Sequence, residues 1–122
     1  MLTVYGIKNC NTMKKCFDFL NEQGVAYQFF DYKKSVLEKA VFEQMVATFG
    51  LDKVINKQGT TYKKWSDEQK QTLADGDLSA IYALVADNQS VIKRPIVLGN
   101  HQNQAVDLIG FDGQQFTQIF GS

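Results

Sequence analysis

The sequence predicts an α/β fold in which a strand–helix–strand half and a strand–strand–helix half share one mixed sheet, with helices inserted between them. Three observations predict it. Residues 1–34 read strand, helix, strand; residues 35–88 carry helical spacing and cap signals; residues 89–122 read strand, turn, strand, helix. A strand, helix, strand series of that length is a βαβ unit with parallel strands.

Each element has its own signal. Leu2 to Tyr5 is the first strand. Asn11 to about Asn21 is a helix, because Met13, Cys16, Phe17 and Leu20 recur on one face, and Gly24 stops it. Val25 to Tyr32 is rich in aromatic and β-branched residues and predicts the second strand. Ser35 and Glu38 match a capping box, so a helix is expected from Ser35 through Leu37, Val41, Met45 and Phe49 to Gly50. Asp52 to Ile55 predicts one further turn of helix, and Asn56 to Thr61 a polar loop. Ser66 and Gln69 predict a capped helix to about Ala74, and Leu78 to Ala86 another. Val91 to Gly99 leads into a strand, Asn100 to Gln104 is a polar turn, and Gln104 to Ile109 is the returning strand. Phe116 and Phe120, four apart, predict a last helix over about Gly113 to Phe120. The summed order is the thioredoxin plan: a core of about 1–34 and 89–122, and a helical insertion of about 35–88, in one domain.

Composition narrows the function. The 122 residues carry 13 basic and 13 acidic side chains and no formal net charge. That argues against direct nucleic-acid binding and against an acidic membrane surface. No run of about 18 apolar residues offers a membrane span. Two cysteines without a charged leader and apolar stretch predict reduced thiols and a cytoplasmic location. No His/Cys cluster has metal spacing, so no metal is expected. His101, the sole histidine, is expected in a solvated turn.

Cys10 stands where the first strand hands over to a helix N-terminus. Unsatisfied N–H groups and the positive end of the helix dipole stabilise a thiolate there. Lys8, Lys14 and Lys15 add positive charge nearby. An ordinary thiol titrates near pH ~8.5, so any depression raises the reactive fraction at neutral pH. Cys16, six residues on, rises about 9 Å along the helix, beyond the ~7 Å that a disulfide allows. It shares the apolar face and is expected to pack in the core. Among 12 lysines there is one arginine, Arg94, directly before the only proline, Pro95. A guanidinium fork for an oxyanion has no other source in this chain.

Several segments then resemble, in order, the arsenate reductase/Spx/YffB family, often called ArsC-like. They are Tyr5-Gly6-Ile7-Lys8-Asn9-Cys10, Asp31-Tyr32, Gly59-Thr60-Thr61-Tyr62-Lys63-Lys64, Ile92-Lys93-Arg94-Pro95-Ile96-Val97 and Leu108-Ile109-Gly110-Phe111. The YffB-like members are the nearest match. The resemblance implies a thioredoxin-like fold and a redox-active Cys10. It implies that Arg94 faces that sulfur, and that a cis Pro95 lies opposite it. Lys8, Asn9, Asn11 and Pro95 are then the candidate substrate-binding residues.

The implied function is a thiol-dependent oxidoreductase using one cysteine, with a small oxidised substrate. Glutathione is the expected reducing co-substrate, directly or through a glutaredoxin-like partner. No bound cofactor is implied, and a monomer is expected. Two alternatives remain: arsenate reduction, and an Spx-like module that binds RNA polymerase. Arsenate reductases of the family surround the cysteine with several arginines, whereas here Arg94 stands alone and Gln58 occupies a position that is usually arginine in YffB-like members. Spx regulators switch through Cys-x-x-Cys, and here Met13 stands three after Cys10.

Overall fold

The computed structural model describes residues 1–121. They form two compact units. One comprises Met1–Tyr32 with the chain from Arg94 onward, and the other Lys33–Lys93.

The first unit is built on a four-stranded sheet of order β2-β1-β3-β4, with β1 Leu2–Gly6, β2 Tyr27–Asp31, β3 Ile96–His101 and β4 Gln104–Ile109. β1 runs parallel to β2 and antiparallel to β3; β3 and β4 form an antiparallel hairpin. With α1 Asn11–Glu22 and α7 Gly113–Phe120 this is the thioredoxin-like βαβ…ββα arrangement. Alternation along β1 sends Leu2 and Val4 to one face. There they join Val97, Val106 and Leu108 of the hairpin, Met13, Cys16 and Leu20 of α1, and Phe116 and Phe120 of α7 in one apolar core. Both helices therefore cover the same face of the sheet.

Three expectations for this unit need correction. β2 begins at Tyr27 rather than Val25, because the end of α1 consumes the intervening backbone. Gly24 takes a φ of 68° and Val25 N–H donates to Leu20 O at 2.9 Å. The β3–β4 turn is tighter than the polar run suggests. Only Gln102 and Asn103 have positive φ, and the ladder runs to His101↔Gln104. His101 is consequently not a solvated loop residue. It ends β3, half-buried, with its ring 5.1 Å from that of Phe120.

The second unit holds α2 Lys39–Phe49, α3 Leu51–Val54, α4 Thr60–Lys63, α5 Asp67–Asp75, α6 Leu78–Ala86 and a short 3-10 turn at Gln89–Val91. The unit runs to Lys93, and residues 91–93 pair with α3's exit. Ile55 bridges Ile92, Asn56 N–H donates to Val91 O at 2.8 Å, and Lys93 N–H donates to Val54 O at 2.7 Å. The Ser66/Gln69 capping box forms as expected. The Ser35/Glu38 box does not, and α2 starts at Lys39 with Glu38 as its cap. Long-range bonds hold that backbone instead: Leu37 N–H donates to Gln89 Oε1 and Gln89 Nε2 donates to Ser35 O, both at 2.6 Å, while Tyr82 Oη donates to Leu37 O at 2.5 Å. The last two residues of the expected 56–61 loop, Thr60 and Thr61, are helical. The Asn56 side chain accepts Gln58 N–H at 3.2 Å and Gly59 N–H donates to Asn56 O at 3.2 Å, winding the chain into α4.

Candidate active site

β1 ends at Gly6 and α1 begins at Asn11, so Cys10 falls on the N-cap of α1. Its backbone is extended (φ −144°, ψ 131°). Its carbonyl accepts the Lys14 N–H at 3.0 Å, the first bond of the helix, and its own N–H donates to Lys8 O at 3.1 Å. The first turn of α1 has no acidic residue, so nothing there offsets the positive end of the dipole.

The Cys10 thiol is half-buried. Burial, the largest influence, pushes it up; the Met13 and Thr12 backbone N–H groups and the Arg94 guanidinium, by hydrogen bond and by charge, together outweigh it and lower the thiol from its ordinary value. The side chain closes no full cap hydrogen bond, so the two N–H groups act on the sulfur mainly as oriented dipoles. Cys16 has the opposite environment. It is fully buried in the core, and burial pushes its thiol up to about 12. Both cysteines are free thiols.

Arg94 comes from the other half of the same unit, two residues before β3, and its peptide bond to Pro95 is cis. Its charge also reaches the buried Tyr32 hydroxyl. Burial pushes that hydroxyl far above the ordinary phenol range, Tyr5 pushes it further, and Arg94 works against both. Pro95 is buried, and its carbonyl accepts Gly110 N–H at 2.8 Å.

Cys10 opens into a pocket of about 490 Å³ that also brings together Lys8, Asn9 and Asn11. Arg94 and Pro95 are not among the residues lining it, although Arg94 reaches the sulfur. The pocket adds residues that the sequence did not single out as site residues. Phe17 forms an aromatic wall, stacked on Tyr27 at 5.6 Å and edge-on to Phe29 at 5.2 Å. Asp18 is the other; its sequence signal was its place four residues after Lys14, to which it pairs at 2.7 Å. That pairing offsets part of the positive charge expected from Lys14. Lys15 is exposed on α1 and does not line the pocket.

A sequence profile of the ArsC family matches residues 5–119. A Haemophilus influenzae protein described as uncharacterized is 33% identical over 120 residues, covering 98% of this chain and 99% of that one. Among solved structures, the YFFB (PA3664) protein aligns with a TM-score of 0.84 at 34% identity, over 99% of this chain and 100% of that one. An arsenate reductase (ArsC) related protein from Brucella melitensis aligns with a TM-score of 0.65 at 30% identity, over 98% and 93% of the two chains.

Proposed function

The chain belongs to the ArsC family, and from that premise we propose that it is a thiol-dependent oxidoreductase with Cys10 as its sole redox nucleophile and glutathione as its reductant. The observation that carries this reading is a single accessible thiol on a helix N-cap with its titration lowered, while the second thiol is sealed in the core. The Cys10 thiolate attacks one sulfur of an oxidised substrate disulfide. A sulfur–sulfur bond forms to Cys10, the substrate's own disulfide breaks, and the departing thiolate takes a proton from water. Arg94 and the α1 N–H groups stabilise the negative sulfur before attack and again as it leaves.

With Cys16 buried, the mixed disulfide has no internal partner. An external thiol must resolve it: glutathione thiolate attacks the substrate sulfur, bonds to it, and releases Cys10 as the thiolate. Lys8, Asn9 and Asn11 supply an ammonium and two carboxamides for a small polar substrate or for glutathione's carboxylates.

The test is turnover of a small disulfide with glutathione as sole reductant, for the wild type and Cys10→Ser. The proposal requires turnover in the first and background in the second; equal rates would remove Cys10 from the reaction. Likeness to the arsenate reductase related protein favours arsenate as a second substrate, and the same assay with arsenate and a glutaredoxin decides it. One guanidinium for a tetrahedral oxyanion predicts arsenate turnover well below disulfide turnover.

A further inference from the structure

Gly6 closes β1 four residues before the reactive thiol, and its backbone φ is not in the left-handed region that would itself call for glycine. Its lack of a side chain has another cause. A Cβ at position 6 would collide with Met13 Sδ, would lie 2.5 Å from Met13 Cε, and would lie 3.4 Å from Arg94 Cβ. Met13 is fully buried, so its thioether end has little open space to move into. Gly6 O also accepts Tyr32 N–H at 2.8 Å, which pins the strand end on its other edge. The two residues that meet over this α-carbon are two of those whose groups act on the sulfur: the Met13 backbone N–H and the Arg94 guanidinium.

We propose that Gly6 is a positioning residue for the Cys10 site: its bare α-carbon forms the seat on which the Met13 side chain and the Arg94 stem pack, fixing the first turn of α1 and the guanidinium so that both face the sulfur. The inference rests on the thiolate reading of Cys10 and names the device that sets it. It also gives Met13 a role. At the position three after Cys10, a long flexible thioether fills the space that Gly6 leaves without displacing the turn whose N–H faces the sulfur.

The experiment measures Cys10 alkylation by iodoacetamide against pH, in the Cys16→Ala background so that one thiol reports. Wild type, Gly6→Ala, Met13→Ala and Gly6→Ala/Met13→Ala are compared, with folding checked by circular dichroism. Gly6→Ala is expected to move the midpoint upward and to slow alkylation at pH 6.5 by about threefold or more, as a loss of thiolate stabilisation does. The double variant is expected to return most of the way to the wild-type midpoint, because truncating Met13 vacates the space that the new methyl needs.

An unchanged midpoint in folded Gly6→Ala overturns the proposal, since the thioether then simply swings aside. So does a double variant displaced as far as Gly6→Ala alone. If Gly6→Ala does not fold, the double variant must fold and keep the lowered midpoint; its failure to fold also overturns the proposal. A wild-type midpoint at the ordinary thiol value overturns instead the thiolate reading on which the proposal stands.

Discussion

The two cysteines, six residues apart on one helix, are driven in opposite directions by their surroundings. Cys10 is lowered, by N–H groups and Arg94 acting against its burial; Cys16 is raised to about 12 by burial. The consequences for stability also have opposite signs. A thiol lower in the folded state contributes stability that is present above the unfolded value near pH ~8.5 and is lost as pH falls through the folded value. Cys16 contributes nothing of this kind at neutral pH. Above about pH 8.5 the unfolded chain sheds a proton that the folded chain retains, so Cys16 lowers stability progressively toward pH 12. Cys16→Ala is therefore expected to cost about 1 kcal/mol at pH 7, from lost packing. At pH 9.5 the deficit should shrink by about 1 kcal/mol, as removal of that alkaline penalty requires. Urea unfolding at the two pH values measures both. Disulfide turnover should survive the substitution; its loss in a folded variant would make Cys16 a resolving thiol. The cap position of Cys10 and the apolar helical face of Cys16 are legible in the sequence because both are local patterns, whereas a count of arginines says nothing of where the guanidinium lies, and only the family resemblance implies that Arg94 faces the sulfur. The helical spacing of Phe17 marks it only as a member of the core face. Its ring also walls the pocket, because Tyr27 and Phe29, on a separate strand, hold it there.

At the scale of elements, local signals held where local forces decide. The Ser66/Gln69 box forms because both of its bonds lie within one turn: Gln69 N–H to Ser66 Oγ at 3.1 Å and Ser66 N–H to Gln69 Oε1 at 2.9 Å. The Ser35/Glu38 pattern is chemically the same and forms no helix, because Gln89, more than 50 residues away, takes the Leu37 N–H and bonds to the Ser35 carbonyl. No reading of residues 35–38 alone contains that information. Gln89 is a buried polar residue, with 7% exposure. Gln89→Ala removes both bonds and strands Leu37 N–H in the interior. The expected loss is about 2–4 kcal/mol in urea unfolding. Amide exchange at Leu37 should accelerate far more than at Ile81 in the middle of α6. Unchanged protection at Leu37 would show that this segment is held by something else. The β3–β4 hairpin teaches the same lesson in reverse. Polar residues Asn100 and His101 carry a turn signal, yet they extend the ladder, because an exposed sheet end tolerates polar side chains and only the two positive-φ residues need to leave it.

For the whole molecule, the fold supplies one service to the site: it joins residues far apart in sequence within a single sheet-based unit. Cys10 lies after β1 and Arg94 before β3, with the entire second unit, Lys33–Lys93, between them in the chain. The antiparallel pairing of β1 with β3, from Leu2↔Gly99 to Tyr5↔Ile96, brings the two strand ends together and so delivers the guanidinium to the sulfur. No described helix is long and apolar enough to cross a membrane. The chain's charges balance, so the positive potential at Cys10 is a local product of a helix end and one arginine rather than of net charge. The measurement that tests this most directly is the pH midpoint of Cys10 alkylation in the wild type and in Arg94→Ala. The account predicts a wild-type midpoint below the ordinary thiol value of about 8.5, and an upward move in Arg94→Ala that stops short of removing the whole depression, since the helix N–H groups remain. An ordinary midpoint in the wild type, or one indifferent to Arg94, would contradict it.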